Sequence, residues 1–116
     1  MEKQYRLKNT NEIAEVVTKR QRVYSPFFTC YYQNSQKVQI AFSVSKKYGN
    51  AVERNKIKRI MREICRPYLI NVPCVKMVIV VKKEAQNQKF EQLKKDLERM
   101  IKIIYHKVRN EKSKKH

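Results

Sequence analysis

The stretch SVSKKYGNAVERNKIKRIMRE, residues 43–63, holds the chain's single glycine and leads from an alternating segment into a run dense in positive charge. Just upstream, Val38, Ile40, Phe42 and Val44 alternate with Gln39, Ala41, Ser43 and Ser45, the period of two expected of a strand. The apolar set makes one face. The small and polar set makes the other, which suits the lining of a groove better than a core. Downstream, Ile57, Ile60, Met61, Ile64 and Cys65 recur at helical spacing. The chain is therefore expected to leave a strand, turn at Gly49, whose backbone is permissive, and enter a helix. That helix should run from about Ala51 to Cys65 or Arg66, because Pro67 disfavours helical geometry before it. Asn50 can cap it, and Glu53 stands at capping-box spacing and near the positive end of the helix dipole.

The polar side of this helix is a cationic rail. From Lys46 to Arg66, eight lysines and arginines face only Glu53 and Glu63, a net +6. Arg54, Lys58 and Arg62 fall four apart on one ridge, and Arg59, Arg62 and Arg66 lie on the next. Arginine can grip a phosphate with two parallel hydrogen bonds, and lysine acts as a mobile point charge. Asn50 and Asn55 add neutral donors and acceptors, and the helix N-terminus attracts anions. A solvated surface helix with no ligand is the bland alternative. The whole chain leans the same way: 116 residues carry 28 Lys and Arg against 10 Asp and Glu, a formal charge of +18. Such self-repulsion exceeds what solubility needs. A polyanionic partner would relieve it, nucleic acid first through counterion release and an anionic membrane surface second.

Outward from this segment the pattern continues. NTNEIAEVVTK reads as a short helix capped by Asn9, Thr10 or Asn11, with Ile13, Val16 and Val17 on one face. VYSPFFTCYYQN reads as one extended stretch with Pro26 near its start. In it Phe28, Cys30 and Tyr32 point one way and Phe27, Thr29 and Tyr31 the other. Phe28 and Tyr32 are expected in the core, whereas Tyr31 is open to packing or to stacking on a base. MVIVV, residues 77–81, is apolar on both faces and reads as a central strand. A final amphipathic helix, FEQLKKDLERMIKIIYHKV, presents Phe90, Leu93, Leu97, Met100, Ile101 and Ile104, and RNEKSKKH reads as a disordered basic tail. The expected order is helix, strand, strand, helix, strand, helix, an α/β chain with one mixed sheet covered by helices. Residues 1–109 should form a single domain and residues 110–116 the tail.

Several classes of function are disfavoured. Cys30, Cys65 and Cys74 are odd in number and without C-x-x-C spacing, which argues against a disulfide scaffold or a zinc site. They read as small hydrophobes in a reducing compartment. His106 and His116 have no metal-ligand spacing. No Ser/His/Asp set and no glycine-rich phosphate loop is present. The N-terminal residues lack the apolar core of a signal peptide, and no apolar run is long enough to cross a bilayer. The expectation is a soluble, cytoplasmic protein.

Gly49-Asn50-Ala51-Val52, then Arg54-Asn55-Lys56, then Ile57-Lys58-Arg59, preceded by a serine- and lysine-rich strand end, closely resemble the signature of the bacterial ribonuclease P protein component. The RLK opening and first helix, the strand order and the length agree, and the resemblance covers essentially residues 5–108. It implies an α/β (α+β) sandwich with a left-handed βαβ crossover, a rare hand, like the second domain of ribosomal protein S5. It implies the accessory subunit of a ribonucleoprotein that removes the 5′ leader of precursor tRNA. The catalytic RNA subunit would perform the hydrolysis with Mg2+ held mainly by RNA, and the protein alone would bind no cofactor and no membrane. Carried over residue by residue, the RNA-binding set is Lys46, Lys47, Asn50, Arg54, Asn55, Lys56, Lys58, Arg59 and Arg62. The leader cleft would comprise Ile13, Val17, Tyr31, Ser43 and Ser45. Ile13 and Val17 stand where the family commonly has aromatic residues, which shifts the burden of leader binding towards Tyr31 and the polar floor of the sheet.

Overall fold

In the computed structural model, which describes residues 3–19, 21–70 and 72–114, Asn9 sets the first helix. Its side-chain oxygen accepts from the backbone N–H of Asn11 at 2.9 Å and of Glu12 at 3.3 Å, so helix α1 spans Thr10–Thr18. The stretch read as one strand from Val23 onward is instead a hairpin of β1, Arg22–Tyr24, and β2, Phe28–Asn34. Ser25-Pro26-Phe27 breaks it. Pro26 has no N–H for a ladder, Ser25 N–H donates to the Phe28 carbonyl at 2.9 Å, and Phe28 N–H donates to Ser25 Oγ at 3.0 Å. Strand β3 is Gln39–Ser43, helix α2 is Ala51–Cys65, strand β4 is Val75–Val81 and helix α3 is Phe90–Lys114.

The four strands lie in the order β1-β2-β4-β3. β1 and β4 each pair antiparallel with β2, and β3 pairs parallel with β4, so β3, α2 and β4 form a βαβ unit. Leu7 N–H donates to the Ile40 carbonyl at 2.9 Å, and the N-terminal segment thereby covers the outer edge of β3. α1 sits on one face of the sheet and α2 and α3 on the other. The larger core lies under α2 and α3, where Phe28, Cys30, Met77 and Ile79 meet Ile57, Met61, Leu97 and Ile101. A smaller core lies under α1, where Leu7, Val16 and Val78 are buried and Ile13, Val17, Tyr31, Ala41 and Val80 pack at its margin. The alternation read in β2 and β3 is thus observed, with one exception. Phe27, expected beside Thr29 and Tyr31, sits in the turn and packs on the larger core.

Helix α3 departs from expectation at both ends. Phe90 is 41% exposed and does not belong to the buried stripe, which begins at Leu93 and continues through Tyr105 and Val108. Residues 110–114, read as tail, are helical. Glu111 lies three positions beyond Val108 on the same face, and its carboxylate accepts from Gln21 Nε2 at 3.2 Å and Asn34 Nδ2 at 2.9 Å. The expected domain boundary at residue 109 therefore falls inside a helix docked on the sheet. Residues 115 and 116 lie outside the described residues.

Cys30 and Cys65 are fully buried and Cys74 half-buried. Burial pushes the Cys30 thiol well up, helped by Cys65 nearby, and burial also pushes the Cys65 thiol up. Only a thiolate reacts readily. Thiol titration of the native protein at pH 8 is expected to leave two of the three cysteines protected until denaturant is added. Three fast-reacting thiols would contradict the packing described.

Candidate nucleic-acid interface

Helix α2 is held by the capping box expected of it. Glu53 N–H donates to Asn50 Oδ1 at 2.9 Å and Asn50 N–H donates to Glu53 Oε1 at 3.1 Å. Its buried stripe is Ile57, Met61, Ile64 and Cys65. The Gly49 backbone is extended, at φ 166° and ψ −167°, so no left-handed turn demands glycine here, contrary to expectation. What glycine supplies is room: a Cβ would stand 2.8 Å from Glu53 Oε1 and 3.2 Å from Glu53 Cβ. Gly49→Ala should therefore interact with the box. In a Glu53→Ala background, where the carboxylate is gone and only the Cβ contact at 3.2 Å remains, it should stabilise by up to about 0.4–1 kcal/mol through the unfolded chain. In the wild type that gain should be cancelled or reversed. Thermal melts of the two single variants and the double variant check this, and strictly additive effects would contradict it.

The stripe fixes where the cations point. Arg54, Lys58 and Arg62 are half-buried, whereas Asn55, Lys56, Arg59 and Arg66 are exposed, as are Lys46 and Lys47 in the 3-10 turn before the helix. Tyr48 anchors that turn. Its phenol is buried, and burial followed by the Glu53 charge pushes its pKa up. Asn50 Oδ1 is committed to the cap, so the amide nitrogen is the part of that side chain left for a ligand. Among the described residues the ion pairs are Lys76 with Glu12 at 3.5 Å and Arg99 with Asp96 at 3.0 Å, and neither involves α2. Arg54 Nε and Arg6 Nε are buried without a hydrogen-bond partner, a costly state for a charged donor. A cavity of about 190 Å³ opens beside the edge of β3, lined by Arg6, Lys8, Ile13 and Phe42 and by Lys58 and Arg62 of α2. It touches the cationic ridge on one side and α1 on the other.

The groove beside α1 follows from register. Arg22, Tyr31, Val78 and Ala41 form one row across the sheet, and Tyr24, Thr29, Val80 and Ser43 form the next. Both rows face the α1 side. The first row is partly roofed by α1, with Ile13 and Val17 at its margin, and Tyr31 is half-buried there. In the second row Tyr24 and Ser43 are exposed, and Ser45 is exposed beyond the strand end. The expected cleft residues Ile13, Val17, Tyr31 and Ser43 are thus brought to one face. The basic set stands around the β3 edge from them, joined to them by the cavity.

Arg6, Lys8, Arg22, Tyr24 and Lys82 also reach these surfaces and were not singled out from sequence. Recognition of Ser25-Pro26 as a hairpin turn would have placed Tyr24 opposite Thr29. Among the described residues no group of three or more His, Cys, Asp and Glu could hold a metal ion. Of the acids nearby, Glu12 pairs with Lys76 and Glu53 is held in its cap. The arrangement can bind a polyanion along a groove. No helix among the described residues is long and apolar enough to cross a membrane.

Comparison with known proteins finds relatives over most of the chain. The family described as Ribonuclease P matches residues 1–105. The ribonuclease P protein component of Phytoplasma australiense is 43% identical over 99 residues, covering 81% of this chain and 85% of the relative. That of Staphylococcus aureus (strain bovine RF122 / ET3-1) is 33% identical over 117 residues, covering 98% of each. Among solved structures, a Staphylococcus aureus RNase P protein mutant with defective mRNA degradation activity superimposes with a TM-score of 0.83 at 32% identity, over 90% of this chain and 91% of that one. The RNase P protein from Thermotoga maritima gives a TM-score of 0.76 at 21% identity, over 84% of this chain and 94% of that one, and supports the fold alone.

Proposed function

The chain belongs to the bacterial ribonuclease P protein family, which implies a role in tRNA 5′ processing with an RNA partner, and from that premise we propose that it is the accessory, RNA-binding subunit of the holoenzyme. On this reading α2 binds the catalytic RNA subunit. The groove between α1 and the sheet holds the single-stranded 5′ leader of precursor tRNA. The RNA subunit carries the phosphodiester hydrolysis, with Mg2+ held mainly by RNA. The protein works in the cytoplasm, where precursor tRNA is made.

One observation carries the reading. The ridge of Arg54, Lys58 and Arg62 has no acidic partner among the described residues and borders a cavity also lined by Arg6 and by Ile13 of α1. A cation set left unpaired by its own fold, beside a groove floored by Ser43 and Tyr31, suits a strand whose phosphates neutralise the ridge while its unpaired bases enter the groove. The chain's part in the reaction is then binding and orientation. It holds the leader so that the scissile phosphate meets the RNA active site, and part of the barrier is offset by positioning. The reconstituted holoenzyme is expected to bind precursor tRNA more tightly than mature tRNA, with the difference lost when this chain is omitted. Equal affinity for both would instead indicate a general RNA-binding protein.

A further inference from the structure

Tyr24 is 58% exposed. Its surroundings are built rather than open. The Arg22 guanidinium carbon stands 5.2 Å and Lys82 Nζ 5.6 Å from the ring centroid. Lys82 Nζ is itself pinned, donating to the Ser25 carbonyl at 2.7 Å. Val23, between Arg22 and Tyr24, packs on the larger core and fixes the strand beneath them. The register puts Tyr24 opposite Thr29, two residues from Tyr31 along β2. That is a diagonal pair, with about 7–8 Å between the residues, on the same face as the groove.

We propose that Tyr24 is a base-stacking platform at the β1 margin of the groove, taking an unpaired nucleotide of the leader next to the one that meets Tyr31. Arg22 and Lys82 hold the flanking phosphates. The inference rests on the reading that the groove holds the leader. An aromatic face offers sequence-tolerant stacking, and two cations that stand over the ring, Arg22 and the Lys82 held by the Ser25 carbonyl, supply the charge a nucleotide needs as it takes their place on the ring. It also accounts for the aliphatic wall of α1. Ile13 and Val17 can give contact but no stacking, and the aromatic surface lies across the sheet on β1 instead.

The test uses the holoenzyme reconstituted from this chain and its RNA subunit, with precursor tRNA and leaderless tRNA as ligands. Tyr24→Ala is expected to weaken binding of the leader-bearing substrate about tenfold, with no change for the leaderless one and no change in salt dependence. Tyr24→Phe is expected to retain the wild-type affinity. A substrate made abasic at one leader position should erase the difference between wild type and Tyr24→Ala. Unchanged binding by Tyr24→Ala, or an equal loss on leaderless tRNA, would overturn the inference while leaving the leader-binding reading intact if the wild type still prefers the leader-bearing substrate. A wild-type holoenzyme with no such preference would overturn both.

Discussion

Removing the ridge in an Arg54→Ala/Lys58→Ala/Arg62→Ala variant is expected to flatten the salt dependence of RNA binding more than any other change to this chain. Each phosphate contact contributes about 0.7–0.9 to the slope of log affinity against log salt. Three lost contacts lower that slope by about 2–2.7. Between about 50 and 200 mM salt the wild type should then lose roughly 20–40-fold more affinity than the variant. The fold should survive, because none of the three side chains belongs to the buried stripe of Ile57, Met61, Ile64 and Cys65 and none has an ion pair to break among the described residues. Replacing Arg54 also removes a buried Nε that lacks a partner, so thermal stability is expected to hold or rise. Titration of the RNA subunit at several salt concentrations, with a melt of each protein, measures both effects. An unchanged slope would show that the ridge does not meet phosphate.

Asp96→Ala is expected to cost the most stability of any single polar substitution, about 2–4 kcal/mol, a fall in Tm of roughly 10 °C or more. Asp96 is 6% exposed on α3. It holds the hairpin turn from below, accepting from Ser25 Oγ at 2.6 Å and from Phe27 N–H at 3.2 Å, and it pairs with Arg99 at 3.0 Å. Without the carboxylate the Phe27 N–H is left without its partner and a void opens under Ser25. Arg99 is 63% exposed at its side chain, and an exposed cation contributes little. Arg99→Ala should therefore cost under about 1 kcal/mol. Equal losses for the two variants would show that the ion pair, and not the turn, is what Asp96 serves. The turn carries β1, so Asp96→Ala should also weaken leader binding through Tyr24.

The parts of this molecule that were legible in the sequence are those where local signals agree with packing. The ends of α2 were readable because Asn50, Glu53 and Pro67 mark them and because a stripe at helical spacing runs between. The two faces of β2 and β3 were readable because a half-buried strand alternates. β1 was not. Val23 and Tyr24 carry the same strand-forming composition as the residues that follow, and only Ser25-Pro26-Phe27 separates the two strands. The end of α3 was hidden for the opposite reason. Residues 110–114 are polar and basic, and Glu111 earns its place through Gln21 and Asn34, distant partners that no local pattern reveals. Asp96 was likewise indistinguishable from a surface acid among lysines.

The candidate site divides in the same manner. The cationic ridge was evident from spacing, since Arg54, Lys58 and Arg62 repeat every four residues on a helix whose other face is apolar. That Ile13, Tyr31 and Ser43 share a face required the register of three strands. Arg6 and Lys8 join the cavity only because the N-terminal segment lies along β3. Gly49 shows that a correct element can be reached for an incorrect reason: its backbone is extended, and the glycine makes space for the Glu53 carboxylate.

In the proposed function this chain supplies binding and positioning to an RNA that performs the chemistry. Cleavage of precursor tRNA by the RNA subunit, measured at physiological magnesium with and without the chain, tests it most directly. The expected result is no cleavage by the protein alone, slow cleavage by the RNA alone and greatly raised cleavage by the two together. Cleavage indifferent to the protein, or cleavage of the 5′ leader by the protein without RNA, would contradict it.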